Sequence, residues 1–193
     1  MHYKIFQIGF NKCGTTSIYK LFKDHCHTHL KCVHWDYGKL AREIHFNTIN
    51  DTKPILGKYE DYDVFTDMED GDSKNLRIAH RDHFKVLDQQ YPFSRFILNT
   101  RPLDEWIASR IKHIKGKFIK YHADVYGVSE VEIIKVWKYW WYEHINNVEQ
   151  YFTGRNNLLR YDIRMDNFSK FKEFFKDLEF TVNEFPKANK TRK

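Results

Sequence analysis

The sequence predicts an α/β fold, a three-layer sandwich in which a central, mostly parallel sheet of four or five strands carries helices on both faces. Three observations predict it. Strand-like and helix-like segments alternate along the chain, and the strand candidates are short and apolar, as strands buried on both faces are. Neither an internal repeat nor a linker breaks the alternation. At 193 residues one domain spanning 1–193 is expected, with room to bury roughly 70% of its unfolded surface.

Taken in order, residues 3–9 read as a buried strand, and a loop bounded by Gly9 leads to a helix over 15–25, where Ile18, Leu21 and Phe22 hold helical spacing. Residues 28–34 read as a second strand and 36–46 as a helix. The Asn-, Asp-, Pro- and Gly-bearing stretch 47–62 reads as a loop. Asp63–Asp67 is a short strand, 68–73 an acidic turn, and 76–90 a helix that stops before Tyr91-Pro92. Arg95–Thr100 is the clearest later strand, and Pro102 suits a helix start because its missing N–H is not needed there. Ser129 and Glu132 have capping-box spacing and open a helix to about Tyr151, with Ile134, Trp137, Trp141, Ile145 and Val148 on one face. Residues 157–161 form a last strand and 166–177 a last helix.

Composition narrows the class. Hydrophobic residues at 41% and aromatics at 17% exclude a disordered chain, and eight Gly with four Pro exclude a collagen-like or low-complexity one. No apolar run approaches the ~18 residues of a membrane span. The chain opens on a strand without a charged leader, and its three cysteines have no CxxC spacing. Free thiols and a cytoplasmic setting are therefore expected. The net charge is +6, but four cations lie within 187–193, a basic tail without acids, so residues 1–186 carry only +2. With no nucleic-acid motif and no aromatics in the tail, neither nucleic acid nor membrane is an expected partner.

The segment Ile8-Gly-Phe-Asn-Lys-Cys-Gly-Thr-Thr-Ser17 is the most informative. A strand ends, Lys12 and Gly14 sit in the loop, and hydroxyl residues open a helix. Inward amides, the partial positive charge of a helix N-terminus and a full lysine charge make a phosphate cradle. Gly9 and Gly14 have the separation of a nucleotide-triphosphatase loop, yet Thr15 stands where its lysine belongs.

Lys-x-Gly-Thr-Thr-Ser after a first strand resembles the 5′-phosphosulfate loop of sulfotransferases that use 3′-phosphoadenosine 5′-phosphosulfate (PAPS). Phe96-Ile-Leu-Asn-Thr-Arg101, followed by Ser109 in the next helix, resembles the 3′-phosphate motif of that family. Arg101 would present a planar fork to a dianionic phosphate. Leu159-Arg-Tyr161-Asp162 resembles the late strand whose tyrosine lies near the adenine. Glu184-Phe-Pro-Lys-Ala-Asn189 resembles the closing Phe-Pro-x-x-Asn segment of one subgroup. The resemblance runs from residue 3 to about 190. It implies a P-loop nucleotide-binding fold and a donor site made of Asn11, Lys12, Cys13, Gly14, Thr15, Thr16, Ser17, Arg101, Ser109 and Tyr161. Lys187 joins this set if the closing segment folds back toward the 3′-phosphate. PAPS is then the co-substrate, adenosine 3′,5′-bisphosphate the product, no metal is expected, and the acceptor is a small molecule or glycan.

Sulfuryl transfer needs charge stabilisation, assigned to Lys12, and a base for the acceptor proton. Family members carry a His or Glu for that purpose; here Asp67 holds the corresponding place, Glu69 is second and His34 third. A P-loop small-molecule or nucleotide kinase, with Asp67 holding Mg²⁺, and a catalytically silent nucleotide-binding module are the alternatives. The His25-Cys-His-Thr-His29, Cys32, His34 cluster fits no zinc spacing and reads as mixed core and surface. Seven acids in 60–72 read as a solvated loop, and Trp137 and Trp141 as core, leaving Trp140 or Tyr142 for a ligand. Cys13 reads as a small packed residue, with redox sensitivity as the alternative.

Overall fold

The computed structural model describes residues 3–71, 74–186 and 188. Five strands are parallel: β1 (Ile5–Gln7), β2 (Cys32–His34), β3 (Val64–Thr66), β6 (Arg95–Thr100) and β7 (Leu158–Asp162). They lie in the order β2-β3-β1-β6-β7, with Ile5 beside Val64 and Arg95 and Phe96 beside Leu158. β4 (Glu69–Gly71) and β5 (Leu76–Ile78) pair apart from this sheet as an antiparallel hairpin.

Strand alternation divides the core between the two faces. Ile5, Val64, Ile97, Leu159 and Tyr161 meet α1 (Thr15–Asp24) and α8 (Phe168–Phe174) through Ile18, Leu21, Phe22 and Phe171. Phe6, Phe65, Phe96 and Leu98 face the other way, onto α2 (Lys39–Ile49), α4 (Phe84–Gln90) and the end of α7 (Glu130–Tyr151). Phe6 stacks between Phe65 and Phe96, with ring centroids 4.9 and 5.4 Å away. Each such fully buried ring contributes about 2–3 kcal/mol. A third cluster joins α5 (Leu103–Ile111), α6 (Lys117–Tyr126) and α7 through Trp106, Trp137 and Trp141.

β1 is central, and the chain leaving it runs to β2 on one side, whereas the chain leaving β3 crosses to β6 on the other. Connections that part in this way open a crevice at the carboxyl ends of the strands.

The elements depart from the sequence reading in four places. Residues 76–90 are not one helix: Leu76–Ile78 is a strand, followed by α3 (Ala79–Asp82) and α4, which meet at His83. Asp70 explains the hairpin, since its carboxylate accepts from Arg77 at 3.1 Å and from Arg42 of α2 at 2.8 Å. The acids of 68–71 are accordingly not a solvated loop, for Glu69 and Asp70 are buried. α2 begins at Lys39 rather than 36 because Trp35, Asp36 and Tyr37 all have positive φ, ahead of Gly38. α6 lies in a stretch with no assigned element, bounded by left-handed Gly116 and Gly127. The Ser129–Glu132 capping box is present in both directions, with Glu132 Oε2 2.9 Å from the Ser129 amide. The three cysteines are free, and no helix among the described residues is long and apolar enough to cross a membrane.

Candidate functional site

A cleft of about 980 Å³ lies along the carboxyl ends of the parallel strands. Every one of those strands delivers a residue to it: Asn11 and Lys12 after β1, His34 from β2, Asp67 after β3, Arg101 after β6 and Ile163 after β7. Gly14, Thr15, Thr16, Ser17, Glu69, Ser109 and Tyr161 line it too. Among the described donor-site residues expected from sequence, Cys13 does not line it. The Cys13 side chain is fully buried beneath the loop, and Lys187 and residues 189–193 lie outside the described residues.

The loop between β1 and α1 is held by its carbonyls. The Trp106 indole donates to Asn11 O at 3.0 Å, Arg101 Nη1 to Lys12 O at 2.9 Å, and Asn99 Nδ2 to Cys13 O at 2.8 Å. Three consecutive carbonyls are thereby drawn into the protein. Lys12 and Gly14 take positive φ, 64° and 84°. Gly14 is the N-cap of α1; no side chain caps this helix end and its first turn holds no acid. The first-turn amides lack intrahelical acceptors by position. The result is a positive concavity suited to an anion. Gly9 is needed for packing, since a Cβ there would lie 2.1 Å from the Asn99 carbonyl oxygen.

Beneath the loop lies a group the sequence did not reveal. Arg110 is fully buried and donates to Asn11 Oδ1 at 2.7 Å and to Glu69 Oε1 at 3.2 Å. Its guanidinium is enclosed by the rings of Trp106, Phe118 and Trp137 at 4.6–4.9 Å. Glu69 is therefore the counter-ion that braces the loop through Arg110, not an accessible base. No spacing marks Arg110 as special: its partners lie 99 and 41 residues away. No sequence pattern marks His113 either. Its Nδ1 lies 3.4 Å from Lys12 Nζ, on a segment where Ile114 and Lys115 adopt left-handed conformations. Burial, reinforced by Lys12 and Arg110, pushes His113 down to about 4, so its neutral ring accepts from the ammonium.

Burial likewise lowers the Lys12 pKa, opposed by the Asp67 carboxylate and assisted by Arg101 and Arg110. Asp67 moves the other way: desolvation, then repulsion from Glu69, pushes it up to about 7, against the pull of Lys12 and Arg110. A carboxyl poised near neutrality at the edge of a cleft is suited to accept a proton. The Asp67 side chain is 21% exposed, and its amide, at φ 56°, donates to Gln7 Oε1 at 2.9 Å.

Arg101 donates to Glu105 as well as to Lys12 O, leaving its buried Nε without a partner, and Glu105 is shared with Arg164 at 2.8 Å. Tyr161, Phe168 and Phe185 form an aromatic end to the cleft, with Phe185 5.2 Å from Tyr161 and 5.0 Å from Phe168. The remaining sequence candidates lie elsewhere. Trp140 is buried beneath Arg81 and Tyr142 is exposed on α7, so neither reaches the cleft. Burial pushes the Cys13 thiol far up, which suits an inert packed residue. His25 and Cys26 contact the 180–181 segment, and among the described residues no three His, Cys, Asp or Glu side chains converge on a metal position.

No family model matches this chain, and no curated protein matches its sequence.

Proposed function

We propose that the protein is a sulfotransferase that moves the sulfuryl group of PAPS to a hydroxyl or amine of an acceptor by in-line displacement. One observation carries the reading: the Lys12 loop, the Arg101–Ser109 pair and Asp67, read separately from sequence, line a single cleft. The alternation of sheet and helices is compatible with it but does not select it.

In this reading the α1 amides and Lys12 hold the 5′-phosphosulfate, and Lys12 neutralises charge on the bridging oxygen as it leaves. Arg101 and Ser109 take the 3′-phosphate, and the aromatic end at Tyr161 takes the adenine. Asp67 removes the acceptor proton, and Arg110 with Glu69 keeps the loop in register.

The experiment is a thermal shift with adenosine 3′,5′-bisphosphate against ATP–Mg²⁺. At a hundredfold excess over Kd the bisphosphate should stabilise by about 2.7 kcal/mol. For a chain of this length that is an increase in Tm of about 5–10 °C. A shift with ATP–Mg²⁺ alone would replace the reading with a kinase. A bisphosphate shift without transfer to any acceptor would leave a silent binding module.

A further inference from the structure

We infer that His34 is a positioning residue for Asp67, its Nε2 lone pair accepting a hydrogen bond from the Asp67 carboxyl once that carboxyl has taken up a proton. Hydrogen-bond accounting around Thr66 carries this. The Thr66 hydroxyl is 3.1 Å from the Val33 carbonyl oxygen and 2.9 Å from His34 Nδ1. It has one hydrogen. A carbonyl can only accept, so that hydrogen goes to Val33 O, and His34 Nδ1 must be the donor to Thr66. The opposite tautomer would set two oxygen acceptors 3.1 Å apart with no hydrogen between them. Nε2 of the neutral ring is then unprotonated.

That lone pair faces Thr16 Oγ1 at 3.3 Å and Asp67 Oδ2 at 3.7 Å. Against an ionised Asp67, the pair Nε2 and Oδ2 is acceptor against acceptor. Against a protonated Asp67, a small closure of the 3.7 Å gap makes an O–H···N hydrogen bond. Such a bond favours the neutral carboxyl. While Asp67 is ionised the Thr16 hydroxyl is the donor within reach of Nε2, and the protonated carboxyl takes its place. Lys12 from the β1–α1 loop, Arg110 from α5 and Glu69 from β4 act on Asp67, while Tyr19 of α1 stacks on His34 at 5.2 Å. Burial holds His34 at about 4, so it receives the hydrogen bond without taking the proton.

The catalytic meaning rests on the sulfuryl-transfer reading; the shared proton does not. In transfer, the acceptor O–H bond breaks and the proton passes to Asp67 Oδ2. The freed electron pair forms the new O–S bond, and the pair of the breaking S–O bond leaves on the donor phosphate. His34 stabilises the carboxylic acid that results.

The test is an NMR titration without donor or acceptor: side-chain carboxyl ¹³C of Asp67 and ring ¹⁵N of His34. Between pH 5 and 8 the wild type should show His34 protonated at Nδ1 and bare at Nε2; a protonated Nε2 would overturn the inference without any variant. His34→Phe keeps the bulk and the stacking but loses the acceptor. Added apolar surface alone would raise the Asp67 pKa, whereas loss of the hydrogen bond should lower it by about one pH unit. His34→Gln, which offers an oxygen near the Nε2 position, should restore most of the difference. An Asp67 pKa that stays or rises in His34→Phe would overturn the inference. The bisphosphate thermal shift is read separately, so failure of the donor site and failure of this pair give different results.

Discussion

Replacing Arg110 by Met tests what holds the floor of the cleft. The guanidinium is fully buried, donates to Asn11 Oδ1 and Glu69 Oε1, and is the hydrogen-bond donor that holds that Glu69 oxygen. Met fills a similar volume among Trp106, Phe118 and Trp137, so little cavity cost arises. The dominant effect is a buried Glu69 charge left without its partner, which costs about 3–5 kcal/mol. For a chain of this length that lowers Tm by about 6–20 °C. The double variant Arg110→Met/Glu69→Gln removes the orphaned charge and should lie within about 2 kcal/mol of the wild type. Urea unfolding of wild type, both single variants and the double variant closes a thermodynamic cycle. A loss below about 1 kcal/mol in Arg110→Met, or a double variant no more stable than that single one, would refute the assignment.

Other expectations follow from the same site. Lys12→Ala should reduce turnover by about 10²–10³-fold while leaving the unfolding midpoint nearly unchanged, because it removes charge stabilisation at a half-buried lysine that lines the cleft; full activity contradicts its role. Asp67→Asn should lower turnover by about 10²–10⁴-fold, measured with labelled donor. Its stability has the opposite sign. The folded pKa of Asp67, about 7, lies above the unfolded value, so the neutral carboxyl stabilises below pH 4 and that contribution is lost as pH rises through 7. The loss amounts to at most about 4 kcal/mol. Asp67→Asn should therefore be more stable than wild type at pH 8 by urea unfolding, and a variant equal or weaker there contradicts the raised pKa. Gly9→Ala should fail to fold or lose several kcal/mol, since its Cβ would meet the backbone oxygen of Asn99 at 2.1 Å; a wild-type Tm contradicts that packing.

The parts of this fold legible in the sequence are those fixed by local pattern. Alternating apolar runs locate all five parallel strands, and Ser129–Glu132 marks the start of α7 because a capping box is satisfied within four residues. The β4–β5 hairpin escapes because Asp70 is held by Arg42, 28 positions away in sequence, as well as by Arg77. A left-handed run at Trp35–Tyr37 cannot be read from residues that are not glycine. It exists because the Tyr59 hydroxyl binds Asp36 at 2.5 Å and Arg42 holds the Tyr37 carbonyl at 2.8 Å. In the cleft, Lys12, Arg101 and Asp67 are legible as residues just past strand ends, and Ser109 as a hydroxyl on the helix that follows Arg101. Arg110 and His113 are not, because their roles arise from contacts with Asn11 and Lys12 across about 100 residues of chain. Position in sequence ranks Asp67 ahead of Glu69, and the Arg110 ion pair of Glu69 gives that ranking a physical reason.

The central claim is that one cleft holds a nucleotide bearing phosphates at both ends, and its most direct measurement is a pair of calorimetric titrations, adenosine 3′,5′-bisphosphate against adenosine 5′-monophosphate. The two ligands differ only in the 3′-phosphate that Arg101 and Ser109 are proposed to bind. Charge-assisted hydrogen bonds of about 1.5–3 kcal/mol predict that the bisphosphate binds at least tenfold tighter, with the difference lost in Arg101→Ala. Equal affinities for the two nucleotides, or no binding of either, would contradict the account.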